Sequence, residues 1–236
     1  TCWPMLRGYV AMAPASPTRD NVVKKPIEEI EFALSKGSAS ADPAAAKSVT
    51  EDWPSYRGDG WRSGSSAGDG PKKLGTKWSA KVATPSKLPD GPILHDWREN
   101  PFVKGPVSPP TISGGRVLVT RPDAHEVVAM QSADGKVSWR FTARGRVDTP
   151  PTIHSGLALF GCHAGYVYAL RVDTGEMVWE FQAAPIDERI VAYGQVESPW
   201  PVPGAVLVID TTVYFVAGRQ QLADGGVLVF ALDALT

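Results

Sequence analysis

The chain has 236 residues, 43% hydrophobic and 21% charged, with a formal net charge of −1. That composition is ordinary for a globular protein and gives no electrostatic basis for binding nucleic acid or a membrane surface. No apolar run approaches the roughly 18 residues of a membrane-spanning helix. The two cysteines, Cys2 and Cys162, exclude a disulfide-rich scaffold, a four-cysteine zinc site and a Cys-x-x-Cys-His haem attachment.

The N-terminus, Thr1-Cys2-Trp3-Pro4, shows neither an initiator Met nor a basic-then-apolar signal segment, which suggests a processed chain or an internal fragment. Residues 1–50 form a segment of their own. Within it, Lys25 to Lys36 is predicted as one short helix, with Pro26 in its first turn, Glu28, Glu29 and Glu31 at its positive end and Gly37 as its stop. Ile27, Ile30 and Leu34 would share one face, enough to dock on a neighbour. The Ala/Ser-rich stretch from Ser38 to Ser48 reads as a linker.

Strand-like character begins at Asp52 and continues through residues 51–236. Lys77-Trp78-Ser79-Ala80-Lys81-Val82 reads as the outer strand of an early, incomplete unit. Two clearer units follow in step, 40 residues apart from Trp139 to Trp179. The first holds Val128-Ala129-Met130, Asp134-Gly135-Lys136 and Trp139-Arg140-Phe141. The second holds Tyr168-Ala169-Leu170, Thr174-Gly175-Glu176 and Trp179-Glu180-Phe181. Pro109-Pro110-Thr111-Ile112 and Pro150-Pro151-Thr152-Ile153 precede them. A period near 40 with several short strands is the signature of a β-propeller blade. The predicted fold is therefore all-β: a partial β-propeller of about three blades with an N-terminal helix-containing segment. Blades are expected around residues 52–105, 106–148, 149–190 and 203–236. Thr236 aligns with Thr174, so the last blade is expected to be truncated one residue before its turn glycine. Closure of the ring would need further blades from the same or another chain.

The turn needs a short polar residue and then Gly for positive φ, and the Trp beyond it is large enough to fill the wedge between neighbouring blades. These segments resemble the tryptophan-docking repeat of the pyrroloquinoline-quinone-like β-propeller family, approximately Ala-x-Asp-x-x-Thr-Gly-x-x-x-Trp. Ala169, Thr174, Gly175 and Trp179 match, with Arg171 in place of the first Asp. Ala129, Gly135 and Trp139 match, with Gln131 and Asp134 at the other two positions. Ala231, Asp233 and Thr236 match as far as the chain runs. More narrowly, Trp53-Pro54-Ser55-Tyr56-Arg57, Arg146 to Pro151, Arg189 to Trp200 and Asp224-Gly225-Gly226 resemble exported propeller proteins of planctomycete type. The resemblance implies a periplasmic or extracellular setting.

Alternating strands sort the turns onto two faces. Ser113-Gly114-Gly115, His154-Ser155-Gly156, Asp210-Thr211-Thr212 and Asp173-Thr174-Gly175 are minimal. The elaborations lie on the other face: Ala83 to Lys104, Arg121 to His125, Arg144 to Arg146, Gly161 to His163, Ala183 to Pro203 and Ala217 to Gly226. Loops on a rigid scaffold carry binding groups, so Arg144, Arg146, His163, Arg189, Gln195, Glu197, Trp200 and Arg219 are the candidate binding residues. Arg and Trp in proximity suit an anionic, planar, sugar or peptide ligand. The alternative is that the loop packs against other blades, with Arg189 and Glu197 paired.

No catalytic residue is assigned. Asp148 and Asp187 have acid or base chemistry but no partner legible in sequence, and no Ser-His-Asp order, phosphate loop or dinucleotide fingerprint occurs. His163 beside Cys162, and His125 near Asp123, do not amount to a metal site, because adjacent residues on a strand end point opposite ways. The leading functional expectation is a non-catalytic binding or scaffolding propeller, with no cofactor evident and a protein or small-molecule ligand on the elaborated face. The second, implied by the family, is a fragment of a quinoprotein dehydrogenase using pyrroloquinoline quinone and calcium. Against it stands the absence of the adjacent Cys-Cys pair found in classical alcohol dehydrogenases of that family.

Overall fold

The computed structural model describes residues 25–41, 52–66, 68, 70, 72–84, 90–103, 105–222 and 224–235. In chain order the strands and helix are β1 (Leu34–Lys36), α1 (Pro92–Arg98), β2 (Thr111–Ser113), β3 (Arg116–Arg121), β4 (Glu126–Gln131), β5 (Val137–Thr142), β6 (Thr152–His154), β7 (Leu157–Cys162), β8 (Tyr166–Arg171), β9 (Met177–Gln182), β10 (Ile190–Ala192), β11 (Gln195–Glu197), β12 (Leu207–Ile209), β13 (Thr212–Ala217) and β14 (Leu228–Asp233). β2 to β5 form the antiparallel meander of blade one, and β6 to β9 that of blade two. β12 to β14 form blade three, and β10 and β11 make a separate two-stranded ribbon inserted before it. The fold is a partial β-propeller.

Side-chain alternation follows the period of two that a strand imposes. In blade three, Val213, Phe215 and Ala217 are buried against blade two, while Tyr214 and Val216 point the other way and are exposed. The middle strands of blade two are covered on both faces, so β7 (Leu-Ala-Leu-Phe-Gly-Cys) and most of β8 are buried throughout. Leu157, Leu159, Val167 and Ala169 contribute to the core shared with blade three, and Ala158, Phe160, Tyr168 and Leu170 to that shared with blade one.

One contact repeats between blades. The indole Nε1 of Trp78 donates to the Ser132 carbonyl (2.9 Å), that of Trp139 to Val172 (2.8 Å), and that of Trp179 to Ala234 (3.0 Å). Each ring thus docks on a turn of the next blade. Gly135 and Gly175 leave the room: a Cβ on Gly135 would lie 2.5 Å from Trp78, and one on Gly175 2.6 Å from Trp139. Both turn glycines also have positive φ. Each complete blade carries a register shift at the same point, Ala129/Met130 and Ala169/Leu170, where the tight turn enters the outer strand. Burying an indole at about 200 Å² and about 25 cal/mol per Å² is worth on the order of 5 kcal/mol.

The structure departs from the sequence reading at its N-terminal side. The expected helix over Lys25 to Lys36 shortens to a single 3-10 turn at Ile27–Glu29, and the chain then becomes β1 on the outer edge of β9. So short a helix is marginal alone, and pairing with an open strand edge satisfies the same backbone groups. Residues 52–66 do not build blade strands. Instead they run along the inner strands: Trp53 exchanges backbone hydrogen bonds with Ile112, Ile153 N donates to the Pro54 carbonyl, and Arg62 reaches the Ala205 carbonyl. Asp52 accepts from Ser113, so the turn face is not bare. Residues 74–84 contain no strand, although Trp78 takes its place in the repeat. Cys2 and the part of the expected linker from Asp42 to Ser48 lie outside the described residues.

Candidate functional site

Four segments of the elaborated side converge on a buried set of charges. The connector from β5 to β6 supplies Arg146 and Asp148. The β7–β8 turn supplies His163, the end of β11 supplies Glu197, and the loop after β13 supplies Arg219. Backbone bonds hold the same segments together: His163 N donates to the Arg146 carbonyl (2.8 Å), and Ser198 N to the His163 carbonyl (2.7 Å). The side chains of Arg146 and Glu197 are 0% exposed, and that of His163 is 3% exposed.

Arg146 is the hub. Its Nε donates to Asp148 Oδ1 (2.6 Å) and its Nη1 to Glu197 Oε1 (2.5 Å). Its Nη2 lies 3.2 Å from His163 Nδ1, and its guanidinium is centred 5.8 Å from the Trp97 ring. His163 Nδ1 lies 3.0 Å from Glu197 Oε2, and its Nε2 2.9 Å from Asp148 Oδ2. The second contact is an ion pair without an aligned donor on that oxygen. Arg219 Nη2 donates to Glu197 Oε2 as well.

The protonation states follow from these contacts. Both imidazole nitrogens face carboxylate oxygens, which accept but do not donate, so these contacts favour the doubly protonated ring. Burial disfavours that charge, but the contacts to Asp148 and Glu197 outweigh it and hold the His163 pKa above its usual value. Burial would likewise raise the Asp148 and Glu197 carboxyls, yet His163 and the guanidiniums hold both below the usual carboxylate range. Two guanidiniums and the imidazole thus enclose two carboxylates.

Arg146, His163, Glu197 and Arg219 were all legible as candidates and meet here. The other four do not join them. Trp200 is buried between blades two and three, and its Nε1 donates to the Asp224 carbonyl (2.6 Å). Arg144 pairs with Glu180 (2.9 Å) and lies 4.8 Å from the Tyr166 ring. Gln195 bonds the His125 ring (2.7 Å). Arg189 pairs with Asp187 (2.8 Å) and not with Glu197, so the alternative pairing is corrected: two arginines and a histidine already saturate that carboxylate. Asp148, read only as a group with acid or base chemistry and no legible partner, and Trp97, read only as part of an elaborated segment, were not among the binding candidates. The signal for Asp148 was its spacing from Arg146, since residues two apart on an extended connector share a face. Trp97 sits on α1, far away in sequence.

The charges of the cluster are paired with one another, and it contains no Ser, Thr or Cys nucleophile. Calcium takes six to eight oxygens, whereas both carboxylates here are bound by cationic nitrogens. Among the described residues no group of three His, Cys, Asp or Glu side chains is arranged to hold a metal ion. The cluster itself therefore does not fit a calcium site. Clefts among the described residues lie away from the cluster. One of about 110 Å³ runs between Tyr56, Asp59 and Arg62 and the inner strands at His154 and Val208. Another of about 310 Å³ lies on the exposed face of blade three, beside Tyr214, Val216 and Val229.

The repeat geometry has counterparts among known proteins. A family model described as outer membrane protein assembly factor BamB matches residues 75–234, more than half of the chain. Outer membrane protein assembly factor BamB of Burkholderia pseudomallei (strain K96243) is 34% identical over 61 residues, which are 25% of this chain and 16% of that protein. Among solved structures, quinohemoprotein alcohol dehydrogenase ADHIIG from Pseudomonas putida HK5 has a TM-score of 0.57 at 19% identity, covering 84% of this chain and 28% of that one. Quinohemoprotein alcohol dehydrogenase from Comamonas testosteroni has a TM-score of 0.56 at 18% identity, covering 92% and 28%. At such identities the likeness is one of fold alone. The chain spans far less than two thirds of the length of each of these proteins. Its docking tryptophans, their turn glycines and the extent of the family match agree: the chain belongs to the pyrroloquinoline-quinone-like repeat family described as outer membrane protein assembly factor BamB.

Proposed function

We infer that this chain is part of a non-catalytic binding and scaffolding propeller of the cell envelope, presenting its elaborated loop face to a protein partner. One observation carries the reading. The charged groups of that face pair with one another inside the protein, and Glu197 thereby anchors a ribbon whose outward residues are apolar. Val191 and Val196 are cross-strand partners, 52% and 57% exposed. Exposed Ile93 and Phe102 lie at the ribbon's turn, Ile93 beside Gly194 and Phe102 with its ring 5.9 Å from that of Tyr193. A rigid ribbon with an apolar outer pair suits a protein surface better than a small polar ligand. The name of the Burkholderia relative, an outer membrane protein assembly factor, supports a periplasmic setting and a protein partner. In this reading the other blades of the ring come from the same or another chain.

The test uses the full-length protein in its own cells, with a photo-crosslinking residue at Val196 or, for comparison, at Ser155 on the turn face. A discrete adduct with one envelope protein from position 196, lost on Glu197→Gln, is the expected result. Adducts only from position 155 would overturn the choice of face. Calcium- and quinone-dependent dye reduction by the purified protein would overturn the non-catalytic reading.

A further inference from the structure

The segment over residues 52–66 crosses the inner strands of three blades and builds a cleft that the repeats alone do not make. Trp53 pairs with Ile112 of β2, the Pro54 carbonyl accepts from Ile153 N of β6 (2.7 Å), and Arg62 Nη2 donates to the Ala205 carbonyl ahead of β12 (2.9 Å). Between the last two tethers lies the cleft of about 110 Å³, with Ser55, Tyr56, Asp59 and Arg62 on the side of the segment and β6 and β12 on the other. His154, at the turn after β6, also lines it, so the cleft belongs to the turn face and not to the elaborated loops.

Folding leaves polar groups of this cleft without partners. Ser55 Oγ is shielded from solvent and makes no hydrogen bond, and among the described residues neither the Tyr56 hydroxyl nor the His154 imidazole makes one. Buried polar atoms are nearly always paired, so an orphaned hydroxyl beside a concavity calls for a partner from outside the fold. Burial holds the His154 pKa below its ordinary value, so at neutral pH the ring is uncharged and offers one donor and one acceptor. The two charged groups of the lining are of opposite sign and each has a partner: Asp59 accepts from the Ser63 hydroxyl and backbone N, and Arg62 donates to Ala205. The lining therefore favours neither a cation nor an anion.

Aromatic surface completes the pattern. Tyr56 lines the cleft with its ring half open to solvent, steadied by the Arg62 guanidinium 5.9 Å away, and the neighbouring Trp61 is 88% exposed. A sugar ring has one face of C–H groups, which packs on an aromatic ring, and a rim of hydroxyls that donate and accept alike. The cleft is well below the roughly 300 Å³ of a pocket for a larger ligand, so it holds a single ring. We propose that it is a binding site for a neutral sugar ring, such as the terminal pyranose of a glycan, seated against Tyr56 with its hydroxyls on Ser55, His154, Asp59 and Arg62. The site is separate from the ribbon of β10 and β11 and stands or falls independently of the function proposed above.

The test is saturation-transfer NMR on the full-length protein with methyl α-glucopyranoside, methyl β-glucopyranoside and N-acetylglucosamine, and with acetate as an anionic probe. At least one sugar is expected to bind saturably in the millimolar range, with the strongest transfer to its ring C–H protons. Tyr56→Ser and His154→Ala should each weaken that binding at least about tenfold, and Val196→Ser on the ribbon should leave it unchanged. Binding of none of the sugars, tighter binding of acetate than of any sugar, or equal loss on Val196→Ser would overturn the proposal. If Tyr56→Ser or His154→Ala loses native circular dichroism, His154→Phe, which keeps a ring of similar size without its hydrogen bonds, decides the matter. The same loss of sugar binding supports the site, and unchanged binding overturns it.

Discussion

The seams between blades and the cluster under the loops are both buried, yet they hold the molecule together by opposite means. At the seams an indole donates one hydrogen bond to a carbonyl of the next blade, at Trp78, Trp139 and Trp179, and the first two of these rings also lie on a turn glycine. Under the loops, five charged groups from four segments meet once. The seams draw on apolar area, which carries no titrating group and so does not vary with pH. The cluster depends on mutual compensation, so it is sensitive to the loss of any member. A propeller can repeat the first device at every seam. The second appears where the chain must hold one irregular loop in one position.

The sharpest way to break this comparison is at a seam. Trp179→Ala in the full-length protein should cost about 3–5 kcal/mol, with Trp139→Ala similar, as for other large buried aromatic truncations. Urea unfolding at pH 5 and pH 8 should give the same loss. A loss that varies with pH would show that the seam is not mainly apolar.

The next effect lies in the cluster. Arg146→Met should cost about 3 kcal/mol at neutral pH, because Asp148 and Glu197 lose their central cation while still buried. Their folded pKa values lie below the ordinary range, so their contribution is present above the unfolded carboxylate values and lost as pH falls through the folded ones. The gap between variant and wild type should therefore narrow in acid below about pH 4. A pH-independent gap would refute the ionic account.

His163 moves the other way. Its folded pKa is raised, so its contribution is present below about pH 6.5 and lost as pH rises through the folded value. His163→Gln should cost about 1–2 kcal/mol near pH 6 and less in mild alkali. Chemical-shift titration of the ring should show the raised value directly, and a normal or lowered one would sink the doubly protonated assignment. The smallest effect belongs to Arg144, whose pair with Glu180 is half open to solvent. Arg144→Ala should cost about 0.5 kcal/mol, and the difference should vanish in high salt.

Repetition is what made the fold legible in the chain. Trp139 and Trp179, their turn glycines and the paired Pro-Pro-Thr-Ile runs are local patterns that recur, and each blade folds by the same short-range alternation. Four of the cluster's members were legible as residue types on elaborated loops, but their partnerships were not. Arg189 stood closer to Glu197 in sequence than Arg146 does, yet Arg146 holds that carboxylate because the β5–β6 connector and the ribbon cross in space. Trp200 read as a ligand-facing aromatic and is instead part of the core, since its loop folds back between two blades.

The sequence by itself determined the repeat: period, turn chemistry, strand alternation and the tryptophan at each seam, all set by contacts within a unit or with its immediate neighbour. Tertiary structure decided where the non-repeating residues went. Residues 34–36 are strand rather than helix because β9 has an edge that needs backbone partners. Residues 52–66 lie along the inner strands of three blades because those strands also have edges to pair. Asp148 is a structural anion because a histidine, met only after the next blade has folded, stands 2.9 Å from it. Such long-range choices depend on which edges and charges remain unsatisfied once the repeats are in place, and no local pattern encodes that.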